Sequence, residues 1–225
     1  MSHGRRKSLS SAGTVDIVFR RYVTSRERLK RVLSGSVVRG PMDPLVAIAV
    51  GVWLFLPAYV ANPSAVLTGF GTPVDLGWSW RGRRILGDGK TWNGLIGGTL
   101  AGGFIGLLQM LLAVTAGLPG FGEGRGALIV PFILAFGALV GDMLGSLIKR
   151  RFGIERGAST PILDQYDFVI GTFLMGMILA PDFIIRTYLA GEGVLSLVAI
   201  IVLTPPLHRA VNILGYRMGQ KDVPW

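Results

Sequence analysis

Polar and charged positions along the chain are gathered into short clusters that separate five long apolar runs. A helix needs about 20 apolar residues to cross a hydrocarbon core roughly 30 Å thick, and each run is long enough. The pattern predicts spans from Leu45 to about Leu67, Gly94 to Gly117, Ala127 to Ile148, Phe168 to Leu189 and Val194 to Leu214. The second carries no charge, and the third carries Asp142 near its end. The fourth includes Pro181, Asp182 and Arg186, with the two charged residues spaced to pair within one helix. Proline predicts interruptions at Pro57 and Asn62–Pro63 in the first span and at Pro205–Pro206 in the fifth. The break in the fifth span opens a lateral groove that suits a lipid, with His208, Arg209 and Asn212 following it. The first span is too long for a plain signal peptide. The expected fold is an all-α integral membrane protein of five transmembrane helices with two basic cytoplasmic loops.

Composition agrees. Charged residues make up 16% of the chain, against about 25% in soluble domains. Glycine is abundant at 33 of 225 residues, and its placement is periodic only inside the apolar runs. Gly94, Gly98, Gly102 and Gly106 recur every four residues in the second span, and Gly137, Gly141 and Gly145 do so in the third. Small residues at that spacing let membrane helices approach closely, so these ridges are read as helix-packing faces.

The formal charge of +10 is unevenly placed. Residues 1–41 hold 10 Lys/Arg and 2 acids, a net of +8, and residues 42–225 are nearly balanced. The chain therefore divides into a basic tail, 1–41, and a five-helix membrane body, 42–225, and the charge is not the footprint of a nucleic-acid partner. Within the body, Arg81, Arg83, Arg84 and Lys90 crowd one loop, and Lys149, Arg150, Arg151 and Arg156 another. The positive-inside rule puts both loops and the C-terminus in the cytoplasm of a multi-pass cell-membrane protein. That leaves the basic tail outside; translation from Met42 would remove the conflict.

The side-chain inventory limits the chemistry. There is no Cys, and His3 and His208 are the two histidines, so thiolate catalysis and multi-histidine metal sites are excluded. Between Gly141 and Phe168, Asp142, Ser146 and Lys149 fall on one helical face, and Asp164 and Asp167 share a face at the entry of the next helix. Carboxylates offer hard oxygen ligands to magnesium, and the adjacent cations neutralise phosphate. A plainer alternative is that Asp142 pairs with Lys149 and the loop charges only hold topology. In the other basic loop, Gly87, Gly89 and Gly94 permit tight turns beside Arg83, Arg84, Asp88 and Lys90, and Thr91 is placed to cap the second span. The GDGKT string lacks the strand and first glycine of a P-loop.

The Gly141–Phe168 stretch resembles the signature of the CTP-dependent phosphatidate cytidylyltransferases, in which an Asp-Ser-Lys-Arg helix precedes an Asp-x-x-Asp pair. The resemblance is closer to the archaeal CDP-archaeol synthase family, through LPAYVANP at Leu56–Pro63, RRILGDGKTW at Arg83–Trp92 and the five-span plan, and covers roughly Met42 to the end. Glu155–Arg156 stands where the bacterial and eukaryotic form has Lys-Asp, and Thr160–Pro161–Ile162–Leu163 replaces its His-Gly-Gly.

That likeness implies cytidylyl transfer from CTP to an unsaturated isoprenoid diether lipid phosphate, with Mg2+ as cofactor. By the same likeness Asp142, Asp164 and Asp167 hold the metal, and Lys149 joins them in the catalytic set. Arg84, Asp88, Lys90, Thr91, Ser146 and Arg150 surround the CTP phosphates. Two other classes remain open at this level: a CTP-dependent polyprenol kinase and a small non-enzymatic transporter.

Overall fold

A computed structural model describes residues 43–122, 124–154, 158 and 160–219. The basic tail 1–41, together with Met42, Glu155, Arg156 and Lys221, lies outside the described residues. Helices dominate: α1 (Pro44–Leu54), α2 (Leu56–Leu67), α3 (Trp92–Ala116), α4 (Gly124–Arg151), α5 (Pro161–Leu179), the single turn α6 (Pro181–Ile184) and α7 (Gly193–Arg217). A π-helical turn, Ile185–Leu189, follows α6, and two short strands, β1 (Ser79–Trp80) and β2 (Arg83–Arg84), pair antiparallel between α2 and α3. Taking α1 and α2 together, five helical stretches among the described residues are long and apolar enough to cross a bilayer. The five-span expectation therefore holds, and the small β-hairpin was not part of it.

Three boundaries differ from those expected. The first span breaks at Phe55, beside Pro57 as expected, but α2 runs unbroken through Pro63. Pro57 has no N–H for the Trp53 carbonyl four residues earlier, and the Gln109 amide of α3 donates to that oxygen at 2.6 Å instead. The fourth span is Pro161–Leu179 rather than 168–189, because Ala180 leaves helical conformation ahead of Pro181. The fifth runs straight through Pro205–Pro206. Pro205 leaves the Ile201 carbonyl without its helical donor, and the Tyr166 hydroxyl of α5 donates to it at 3.0 Å. No helix break opens a groove there. Within α7, Asn212 is buried and hydrogen-bonded to His208 at 3.3 Å, and Arg209 is exposed. Tyr166→Phe is expected to leave that carbonyl unpaired and to cost about 1 kcal/mol, read as a lower thermal midpoint in detergent.

The glycine ridges are packing faces. Gly94 and Gly98 lie against Ala65 and Ala61 of α2, where a Cβ at Gly98 would stand 2.6 Å from the Ala61 carbonyl oxygen. Gly102 faces Pro57 of α2 and Gly106 faces Pro131 of α4. On α4, Gly137 lies against Gly171 and Thr172 of α5, and Gly141 and Gly145 lie against Asp167. The α4–α5 contact is the most extensive between helices. Side chains fill what the glycines leave: Phe55, Tyr59, Phe168, Phe173, Phe183 and Tyr188 form one aromatic cluster with centroid separations of 5.0–6.5 Å. The buried Tyr188 hydroxyl donates to the Gly51 carbonyl at 3.0 Å and Ser196 donates to Ala47 at 2.7 Å, which ties the last two elements to α1. On the far side of the bundle, Asp182 and Arg186 approach to 4.0 Å as an exposed pair, matching the expected i, i+4 contact.

Candidate active site

Helix ends determine where the charges fall. Lys149, Arg150 and Arg151 occupy the last turn of α4, and Asp164 the first turn of α5. Each sign is thereby placed where the helix dipole favours it. The α4–α5 turn brings these ends together, and Lys149 forms an ion pair with Asp164. Asp164 also accepts the Thr160 hydroxyl at 2.7 Å and the Thr160 amide at 3.0 Å, so it reaches back over the helix start.

Two turns back along α4 from Lys149, Asp142 pairs with Lys90 from the other basic loop. The alternative pairing, Asp142 with Lys149, is not formed: each aspartate takes a lysine from elsewhere. Asp167 lies between these pairs, 8% exposed, with its carboxylate over Gly145 and one oxygen accepting the Phe168 amide at 2.6 Å. Asp142, Lys90 and Lys149 are all near enough to act on it electrostatically. Gly145 makes this possible, because a side chain there would occupy the space of the Asp167 carboxylate. Ser146 is half-buried on the same helix.

The loop supplying Lys90 is organised by a carboxylate that sequence reasoning missed. The Asp75 side chain is 2% exposed and accepts Arg84 Nη2 at 2.7 Å, Arg84 Nε at 3.3 Å, and the amides of Leu86, Gly87 and Gly77 at 2.9, 3.0 and 3.2 Å. Burial works against its ionisation, but the Arg84 guanidinium and the three amides outweigh it and hold the carboxyl well below its ordinary range. Arg84 spends its other arm on exposed Asp88, at 2.7 Å. An isolated acid between Pro73 and Leu76 gives no pattern to detect, since three of its five hydrogen bonds come from backbone amides. Asp75→Asn is expected to loosen the loop by about 1–3 kcal/mol, read as a lower thermal midpoint. Because the folded pKa is depressed, this support is fully present above the ordinary carboxylate value of about 3.9 and is lost as pH falls toward the folded value. Thermal midpoints across acidic pH, compared with Asp75→Asn, check the sign.

The two basic loops meet. Arg151 donates to the carbonyls of Trp80 at 2.9 Å and Arg84 at 3.2 Å, and its guanidinium lies 4.8 Å above the Trp80 ring. Gly153, with φ +74°, lies against the Arg83 guanidinium, and Arg150 closes its own turn by donating to Ile154 at 2.8 Å. Thr91 caps α3 as expected, accepting the Gly94 amide at 3.0 Å, and is 4% exposed. Among the described residues no three carboxylate or imidazole groups converge as a ready-made metal cage. Asp142, Asp164 and Asp167 lie on adjoining turns, each with its own partner.

Similar proteins share most of this body. Residues 45–225 match the family described as CarS-like: CDP-archaeol synthase. Curated CDP-archaeol synthases align along their whole length: that of Picrophilus torridus is 45% identical over 187 residues, 82% of this chain and 100% of its own. The one from Methanosphaerula palustris is 48% identical over 179 residues, 76% of this chain and 99% of its own. A solved structure of an intramembrane enzyme for archaeal membrane lipids biosynthesis is 37% identical, with a TM-score of 0.55 over 74% of this chain and 94% of that one. With five apolar helices, one charged rim where two loops join, and relatives matched from end to end, the chain belongs to the CDP-archaeol synthase family.

Proposed function

We propose that the charged rim transfers CMP from CTP to an isoprenoid diether lipid phosphate, forming a CDP-lipid and pyrophosphate. Family membership supplies the reaction class, a nucleotidyltransferase of archaeal lipid synthesis. The observation that carries the assignment to this rim is the meeting of Lys90–Asp142 with Lys149–Asp164 around buried Asp167. A phosphate monoester is already an anion at neutral pH, so its oxygen attacks the α-phosphorus without a His or Cys base. The new O–Pα bond forms as the bond from Pα to the bridging oxygen breaks, and pyrophosphate leaves with that electron pair. The difficulty is bringing two anions into line. Lys90, Lys149 and Arg150 offset that repulsion, and the Asp75-ordered loop holds Lys90 where it serves.

The donor set suits a divalent cation. Asp142 and Asp167 are hard oxygen donors close enough to repel one another, and a metal ion relieves that repulsion. Asp142 and Asp167 would hold it, with Asp164 beside them; when bound, Mg2+ supplies charge neutralisation on the nucleotide phosphates. Both loops lie on the cytoplasmic side in this reading, by the positive-inside rule. The lipid's tails stay in the bilayer while its headgroup reaches the rim.

The test is incubation of the purified protein with labelled CTP, magnesium and digeranylgeranylglyceryl phosphate, beside phosphatidate. CDP-lipid and pyrophosphate are expected, with the diether preferred. Release of CDP with a phosphorylated polyprenol would instead identify a kinase.

A further inference from the structure

We propose that Lys90 and Lys149 are exchangeable counter-cations, which occupy the metal-binding carboxylates until a nucleotide's phosphates draw them off. The inference rests on the reading of the site above and deepens it. Three carboxylates stand at the rim; two are neutralised by lysines, and the third, Asp167, lies within electrostatic reach of both lysines. The lysine side chains are 23% and 20% exposed and the paired aspartates 31% and 21%. These pairs are therefore shielded enough that breaking one leaves a costly uncompensated charge. An ammonium on a flexible four-carbon stem is a point charge that can change partner without losing a fixed fork geometry, which an Arg could not do as freely.

A divalent cation at Asp142 competes with the Lys90 ammonium, which occupies Oδ2, and the displaced ammonium needs another anion beside it. The triphosphate of CTP is such an anion. Metal and nucleotide consequently favour one another's binding, and the nucleotide-free protein resists metal alone. Arg84 is unsuited to this exchange, since both of its arms are fixed by Asp75 and Asp88.

Binding of Mn2+ alone, followed by electron paramagnetic resonance on the full chain without nucleotide, tests the exchange. Lys90→Met and Lys149→Met are expected to tighten Mn2+ binding by about tenfold or more, and Lys90→Arg to give no such gain. Adding Asp142→Asn to Lys90→Met should remove the gain. Arg150→Gln deletes a rim charge that sits on a carbonyl rather than a carboxylate, and should change binding little. Thermal midpoints confirm that each variant is folded. Unchanged Mn2+ affinity in folded Lys90→Met and Lys149→Met overturns the exchange, as does an equal gain in Arg150→Gln, which would reduce the effect to bulk charge. If the Mn2+ gains appear but wild-type protein makes no CDP-lipid, the reaction assignment fails and the exchange stands.

Discussion

Asp142→Asn is expected to slow CDP-lipid formation by about 100-fold or more while leaving the bundle folded, the scale on which single preorganised electrostatic groups act in transfer reactions. Asn keeps the shape and one oxygen but loses the charge. Lys90 then loses its ion-pair partner, and Asp167 loses one of the three charged groups that act on it. The substitution therefore disturbs three groups of the rim at once, yet it removes no apolar side chain and falls at a half-exposed position of a helix held by Gly137 and Gly141. Initial rates with labelled CTP, beside a thermal melt in detergent, separate the two effects. A folded Asp142→Asn protein with near-normal turnover would refute the role given to this carboxylate.

Gly141→Val is expected to have the largest effect on stability. At Gly141 a Cβ would run into the Asp167 carbonyl and the Gly171 backbone, atoms that no rotamer change can move. Overpacking typically costs about 1–3 kcal/mol, and here relief requires shifting α5 against α4 along their main contact. Because Asp142 follows Gly141 directly and Asp167 is what it touches, activity should fall with stability. Gly126→Ala is the control: it lies in the same helix with open space around it and should be neutral or slightly stabilising, since Ala is the better helix former. Melting both variants, with size-exclusion profiles, checks the prediction. An unshifted midpoint for Gly141→Val would mean that the helices are not in close contact.

The spans were legible because a bilayer imposes a length and an apolarity that few other structures require. The glycine ridges were legible for a related reason, since with apolar surface on every side only small residues mark a close contact. Proline misled at Asn62–Pro63 and Pro205–Pro206. At Pro205 the freed Ile201 carbonyl is taken by Tyr166, 35 residues earlier in the chain, a donor that local spacing does not show. At Pro57 the same role falls to Gln109, and there the chain does turn.

The site divides in the same way. Residue types and facing positions on α4 and α5 pointed to Asp142, Lys149, Asp164 and Asp167 as neighbours, since helical periodicity and one short connection bring them together. Partners were another matter. Lys90 reaches Asp142 across 52 residues of sequence, Arg151 holds a hairpin 67–71 residues away, and Asp75 binds mostly backbone amides. The sequence by itself determined five membrane spans, two basic loops and the inventory of carboxylates and cations, because hydropathy, periodicity and charge act locally along the chain. Which cation meets which carboxylate, and that one loop is locked in place by a buried aspartate, only the tertiary structure decided, because ion pairs and buried hydrogen bonds form between surfaces that packing alone brings together.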